Sequence, residues 1–367
     1  MKPSNTDIIT FDGKEIEARH GESLAACLTA AGIRSFRTTA CGAERGMFCG
    51  MGVCQDCLVE VDGKPNQRAC MTKVNGPLTV RSEAHARSLP SNPTYRPPAT
   101  VESLKLETPE LLIIGAGPGG ISAAIAARRA SADVLVIDER SQPGGQYFKQ
   151  PDLAGDGIAP PDAQHREGAA LIAEARALGV VIRSQVTVWG AFAPLEFATS
   201  SPDGPVRYKP KAAIIATGAY ERGWPVPGWT LPGVMTTGAA QTLWRTARRT
   251  PGKRVLIAGN GPLNLQLAAE LIEAGSDVAA VVEAARKPGP ADLSSVATML
   301  LASPDLIRNG ITYHLKRRRA GTDMIHGEVV RRIDRANNAL RVTVGTADGK
   351  GQQRVFEVDA LCLGYGF

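Results

Sequence analysis

Alternating and continuous apolar runs mark out the elements of this chain. Near the start, Ile8-Ile9-Thr10-Phe11 and Glu15-Ile16-Glu17-Ala18 flank Asp12-Gly13, the pattern of a β-hairpin. Ser23 then caps an apolar helix from Leu24 to Ala31 that stops at Gly32, and Cys27 falls on its apolar face. Leu58-Val59-Glu60-Val61 reads as a strand entering an Asp62-Gly63 turn. Further on the runs lose their alternation, as strands buried on both faces do. They are Leu111–Ile114, Val134–Ile137, Ala212–Ile215, Arg254–Ala258 and the VAAVV run that ends at Glu283.

Two of these runs lead through glycine-rich turns into apolar helices. The first reads Gly115-Ala116-Gly117-Pro118-Gly119-Gly120 and continues into ISAAIAARRA; the next strand ends at Asp138-Glu139. A GxGxxG turn with a strand before it, a helix after it and an acid about 20 residues on is a dinucleotide-binding unit. Gly115 permits the tight turn, Gly117 lets the backbone approach the pyrophosphate, and Gly120 lets helix and strand touch. Asp138 is the expected ribose acid, with Glu139 the near alternative. Pro143-Gly144-Gly145-Gln146 and the strand ending Ala216-Thr217-Gly218 resemble the FAD domain of the two-dinucleotide-binding flavoproteins, so FAD is the expected ligand. The second unit reads Gly259-Asn260-Gly261-Pro262-Leu263-Asn264, followed by a helix and a strand ending at Glu283. Asn264 stands where the third glycine belongs, and its side chain is expected to push helix and strand apart. That leaves room for a second adenine nucleotide and argues against productive NADH binding; with a nicotinamide, Glu283 would favour NAD.

The thiols carry the other chemistry. Cys49, Cys54, Cys57 and Cys70 stand in CxxxxCxxC spacing with a fourth twelve residues on, a [2Fe-2S] ligand pattern. Gly46, Gly50 and Gly52 give the loop freedom to wrap a cluster. A zinc site or a CxxC redox disulfide are the alternative readings. Cys41 lies outside the spacing. Between Met71 and Leu361 there is no cysteine, which argues against a flavin-linked disulfide reductase. His20, His85, His165, His314 and His326 form no metal or nucleophile motif. No catalytic acid or base is assigned.

Composition adds bounds. The chain has 367 residues, 43% hydrophobic and 21% charged, room for two or three soluble domains. No membrane span or secretory leader is evident, and seven cysteines with four committed to a cluster fit a reducing compartment. A cytoplasmic protein is expected, with peripheral attachment to the inner membrane left open. The net charge of +6 gathers in clusters such as Arg317-Arg318-Arg319 and Arg248-Arg249, read as solvated faces or docking patches because no aromatic residues interleave them. The fold class is α/β: an N-terminal β-grasp ferredoxin-like domain followed by a two-dinucleotide-binding, Rossmann-like flavoprotein body. The expected divisions are 1–87 for the [2Fe-2S] domain, 88–109 for a proline-rich linker, 110–233 for the first part of the FAD domain, 234–362 for the second nucleotide domain and 363–367 for the start of a return to the FAD domain.

The segments MFCGMGVCQDCLVEVDGKPNQRACMT, IDERSQPGGQ, ATGAYERGWPVPGWTLPGVMTTGAAQTL and GNGPLNLQLAAE, in this order, resemble the alpha subunits of hydrogen cyanide synthase, opine oxidase and related proline or hydroxyproline dehydrogenase complexes, and more distantly the sarcosine oxidase alpha subunit. The resemblance implies an FAD and [2Fe-2S] electron-transfer subunit of a hetero-oligomer. A partner flavoprotein of the amino-acid-oxidase type would oxidise the amine, with a quinone among the acceptors to consider. It also implies ATP or NAD at the second nucleotide site, and FMN shared with a partner as a further option. Family members run on past the strand that ends here in Gly364-Tyr365-Gly366-Phe367, so a C-terminally shortened chain is expected. The rival readings are a self-contained NAD(P)H-dependent reductase and a non-catalytic assembly subunit.

Overall fold

The computed structural model describes residues 6–82, 104–151 and 163–367. These fall into two compact units, residues 6–82 with Tyr220–Phe367 and residues 104–151 with 163–219. Most of the proline-rich segment, with His85, lies outside the described residues.

In the first unit, β1 (Thr6–Phe11) and β2 (Lys14–Arg19) pair antiparallel across the Asp12-Gly13 turn. Helix α1 (Leu24–Ala30) begins at Ser23, whose hydroxyl accepts the Ala26 amide and so satisfies one of the helix's free donors. A short ribbon of β3 (Arg37–Thr38) and β4 (Glu44–Arg45) follows. Then β5 (Leu58–Val61), β6 (Lys64–Arg68) and β7 (Leu78–Ser82) complete a sheet in the order β2-β1-β7-β5-β6. Strand β7 runs parallel to β1, and Leu24 and Leu28 of α1 share a core with Ile9, Val59 and Val80, which is the expected β-grasp arrangement.

The second unit starts at β8 (Lys105–Glu107), inside the stretch expected to be linker. The prolines of that stretch lie upstream except Pro109, so the amides of 105–107 are free to pair with a strand, and they pair with Val206–Tyr208. The Rossmann unit is β9 (Leu111–Ile114), α2 (Pro118–Arg129) and β10 (Val134–Ile137), continued by α3 (Ala163–Ala177) and β11 (Val181–Arg183). Strands β12 (Thr187–Phe192), β13 (Glu196–Ser200) and β14 (Val206–Tyr208) form a small sheet with β8, and β15 (Ala212–Ile215) closes the parallel sheet β11-β10-β9-β15.

The chain then returns to the first unit through β16 (Val234–Thr236), α4 (Thr237–Ala247), β17 (Arg254–Gly259), α5 (Pro262–Glu273) and β18 (Asp277–Glu283). Two further helices, α6 (Leu293–Ala302) and α7 (Pro304–Arg319), lead to β19 (Asp323–His326). A meander of β20 (Glu328–Ala336), β21 (Ala339–Thr346) and β22 (Arg354–Val358) precedes β23 (Ala360–Gly364). The parallel order is β16-β23-β17-β18-β19. Leu363 and Gly364, expected to begin a return to the FAD domain, instead pair with Ala258 and Gly259 and finish this sheet. The unit boundary likewise falls at Ala219/Tyr220, ahead of the expected 233/234, because the 220–233 segment packs on the later domain.

The β-grasp domain and the second nucleotide domain share one core. Met235, Ala239 and Leu243 join the same apolar cluster as Ile9 and Leu28. Polar ties reinforce it: Arg249 pairs with fully buried Glu22 at 2.9 Å, and Arg19 donates to the Ala247 carbonyl at 3.0 Å. Among the described residues no helix is long and apolar enough to cross a membrane.

Candidate functional site

The cysteine loop leaves β4 and wraps back before β5. Cys49 and Cys57 are buried, Cys54 and Cys70 half-buried, and none forms a disulfide. The thiols fall into two hydrogen-bonded pairs, Cys49 with Cys54 and Cys57 with Cys70. In each pair the proton shared between the sulfurs lowers one thiol and raises the other: Cys49 and Cys57 fall below the ordinary thiol value, whereas Cys54 and Cys70 rise above it. Among the described residues no three Cys, His, Asp or Glu side chains converge on a single-ion site. Two pairs of thiols fit a binuclear cluster, which takes two thiolates per iron, and they do not fit a single tetrahedral zinc.

Backbone donors already face the sulfurs. The amides of Met51 and Cys54 point at Cys49 Sγ at 3.4 and 3.5 Å, and the Asp56 amide at Cys54 Sγ at 3.5 Å. Such donors stabilise thiolate charge and raise a cluster's reduction potential. Gly50 sits at φ +62°, and a Cβ there would meet Met47 Cε at 2.8 Å and Ala239 Cα at 3.0 Å, so the loop lies directly on α4. At the same seam the Thr236 amide donates to the Phe48 carbonyl at 2.9 Å, and the Phe48 ring meets Trp229 edge-on at 5.1 Å. Cys41 is exposed, apart from the loop, and Cys27 is core, as the sequence indicates.

At the first glycine turn the backbone is packed against itself. A Cβ on Gly120 would stand 1.9 Å from the Gly115 carbonyl oxygen, and one on Gly145 would stand 2.8 Å from Gly117 Cα. The Gly144 amide donates to the Ala116 carbonyl at 2.8 Å, which folds the Pro143–Gln146 loop over the turn. Asp138 closes the arrangement: its carboxylate accepts the Ala116 amide at 2.6 Å and the Arg140 amide at 2.8 Å, while Glu139 beside it is half-buried. Ala216 lies under Gly115, and Thr217 and Gly218 are exposed where β15 ends. This is a side-chain-free cradle at a helix N-terminus, suited to a diphosphate.

The second turn repeats the plan with one change. Glu283 accepts the Gly261 amide at 3.2 Å, as Asp138 accepts that of Ala116. Burial raises the Glu283 carboxyl above its ordinary value. Asn264 does not push the helix away: α5 packs on β17 and β18 as α2 packs on β9 and β10. The side chain is 1% exposed; its amide donates to the Gly364 carbonyl at 2.9 Å, and its carbonyl accepts the Thr237 hydroxyl at 2.7 Å. Glycines at 259 and 364 make the room, since a Cβ on Gly259 would stand 2.7 Å from Asn264 Nδ2. Sequence reasoning missed two neighbours. Trp224 stacks on Tyr365 at 4.6 Å, and His326 ends the strand beside Glu283 with its Nδ1 buried and without a hydrogen-bond partner among the described residues. The local sign was Tyr365 in the GYGF terminus.

Fold and site together define an oxidoreductase body with two dinucleotide-type turns, joined to an iron–sulfur domain. A family model described as "2Fe-2S iron-sulfur cluster binding domain" matches residues 8–85, and one described as "Pyridine nucleotide-disulphide oxidoreductase" matches residues 109–367. The chain belongs to the pyridine nucleotide-disulphide oxidoreductase family. It is 36% identical over 260 residues to an opine oxidase subunit of Agrobacterium tumefaciens (strain Ach5), covering 67% of this chain and 50% of that protein. Two Pseudomonas aeruginosa proteins also match: hydrogen cyanide synthase subunit HcnB is 30% identical over 264 residues (70% of this chain, 56% of that one), and subunit HcnA is 40% identical over 77 residues (21% and 74%). The solved structure of L-proline dehydrogenase from P. horikoshii superposes with a TM-score of 0.66 at 20% identity, covering all of this chain and 61% of that one, which shows a shared fold. The chain spans about half the length of the opine oxidase subunits it matches.

Proposed function

We propose that this chain is the FAD and [2Fe-2S] electron-transfer subunit of a multi-subunit amino-acid or opine dehydrogenase. A partner flavoprotein would oxidise the amine and pass its electrons here. The observation that carries the reading is the pairing of thiols, Cys49 with Cys54 and Cys57 with Cys70, in a chain that also has a flavin-type cradle and no cysteine between Met71 and Leu361 for a dithiol relay. A bound flavin would exchange electrons in pairs and a cluster would carry them singly.

In this reading each thiol pair holds one iron. The turn at Gly115, Gly117 and Gly120 holds the FAD diphosphate, with Asp138 at the ribose. Gly259, Gly261 and Glu283 hold a second adenine nucleotide, ATP or NAD, with a structural role favoured by Asn264 being locked into the fold. Two sets of names support a partner. The relatives are called subunits, and the separate proteins HcnA and HcnB match over lengths close to the two family-model regions of this single chain. A chain of electron carriers without an assigned substrate acid or base needs such a donor. The cytoplasm is the expected compartment.

The test is spectroscopic. Anaerobic protein is mixed with NADH or, separately, with the co-purified partner and a panel of amines. Bleaching of flavin and cluster absorption only with partner and amine is expected. Bleaching by NADH alone would instead identify a self-contained NAD(P)H reductase.

A further inference from the structure

Helices α6 and α7 contain no buried residue. On α6, Leu293, Val296, Met299, Leu300 and Leu301 are all exposed, Leu301 to 89%. At 100° per residue these five share one arc of the helix, and Ser294, Ser295 and Thr298 occupy the opposite one. Helix α7 packs on α5, with Lys316 paired to Glu273. Its residues Arg308, Ile311, Leu315 and Arg318 recur at three- and four-residue spacing, and all four are exposed. One exposed stripe of α7 therefore carries an apolar pair bracketed by arginines.

Charge concentrates in the same segment. Residues 284–319 hold seven Lys and Arg against two Asp, a net +5 in a chain whose total is +6. The acids are spoken for locally, Asp292 by Arg286 at 2.8 Å and Asp305 by Arg308 at 3.5 Å. Arg318 and Arg319 make no ion pair among the described residues.

Exposed apolar helices with interspersed basic residues lie well in one environment, the boundary between acyl chains and anionic headgroups. We propose that the α6–α7 pair is a docking surface for a bilayer bearing anionic phospholipid. Leu293, Val296, Leu300 and Leu301 enter the acyl boundary, and Arg308, Arg318 and Arg319 meet the phosphates, their stems lying along the apolar surface. A lipid surface is favoured over a protein partner because the exposed face of α6 is aliphatic, without the aromatic anchors of a protein interface, and the segment's net +5 complements anionic headgroups. With 10 and 16 residues, α6 and α7 are too short to span and would lie in the plane of the surface. This inference does not depend on the proposed function.

Vesicle flotation of the full chain tests it, using phosphatidylcholine with and without phosphatidylglycerol. The expected result is binding to the phosphatidylglycerol vesicles only, abolished by high salt and weakened about tenfold or more in the Arg318→Glu, Arg319→Glu double variant. A Leu300→Ser, Leu301→Ser variant should lose binding with little change in melting temperature, since Leu300 is half exposed and Leu301 89% exposed. Equal binding to both vesicle types, no binding at all, or binding untouched by either variant would overturn the proposal. So would a wild-type chain that self-associates through α6 while the double serine variant is monomeric.

Discussion

The two glycine turns share one plan and are finished differently. In the first, Gly120 lets α2 touch the Gly115 carbonyl directly, and the contact stays within the turn. In the second, Asn264 replaces that contact with a polar joint reaching Gly364 at the end of β23 and Thr237 at the start of α4. The neighbouring Thr236 amide holds the cysteine loop through Phe48. One turn is thus a closed, side-chain-free cradle. The other is built into the scaffold beneath the cysteine loop.

The largest expected effect separates the supports of the two domains. Arg245 of α4 is 1% exposed and pairs with Glu270 of α5 at 2.7 Å, whereas Arg129 of α2 and Glu174 of α3 pair in solvent at 2.6 Å. Arg245→Ala leaves the largely buried Glu270 carboxylate with only the Gln241 amide at 3.3 Å and should cost about 3–5 kcal/mol in denaturant unfolding, while Arg129→Ala should cost under about 1 kcal/mol. Similar losses would mean the second domain is not held by a buried joint.

Gly120→Ala comes next. Its Cβ would collide with backbone, so about 1–3 kcal/mol of overpacking is expected together with loss of flavin from the purified protein, read by absorbance. Full flavin content in that variant would break the cradle assignment. Asn264→Ala should cost about 1–3 kcal/mol by taking the acceptor from the buried Thr237 hydroxyl and leaving the Gly364 carbonyl with the Asn260 amide alone, with flavin content unchanged. A flavin loss matching that of Gly120→Ala would erase the distinction between the turns.

The smallest effect is a pH dependence. Burial raises the Glu283 carboxyl in the folded state, so its contribution to stability is full below the unfolded Glu value and is lost as pH rises through the folded value. Glu283→Gln should therefore flatten stability against pH in and above the ordinary Glu range, measured by denaturant midpoints. A steeper profile would show that the two Gly261 contacts outweigh burial.

Much of this was legible in the chain because the signals are local. The runs at Leu111, Val134 and Ala212 became strands with the expected bounds, and the Asp12-Gly13 and Asp62-Gly63 hairpins formed where turn chemistry placed them. CxxxxCxxC spacing named thiols that the fold brings together in pairs. What spacing could not show is packing between distant segments. The seating of Phe48 and Gly50 on α4 joins residues nearly two hundred positions apart, and no pattern around Ala239 announces it. Asn264 looks like a steric obstacle in sequence because its hydrogen-bond partners lie in other elements. Nor did local pattern reveal that α6 stands exposed, since an apolar helix looks the same in sequence whether covered or bare.

The central claim rests on the thiols, and one measurement reaches it most directly. Protein purified anaerobically should contain about two irons and two acid-labile sulfides per chain, with a paramagnetic signal on one-electron reduction that is lost in Cys57→Ser. A single zinc and no sulfide, or a Cys49–Cys54 disulfide in place of iron, would contradict it.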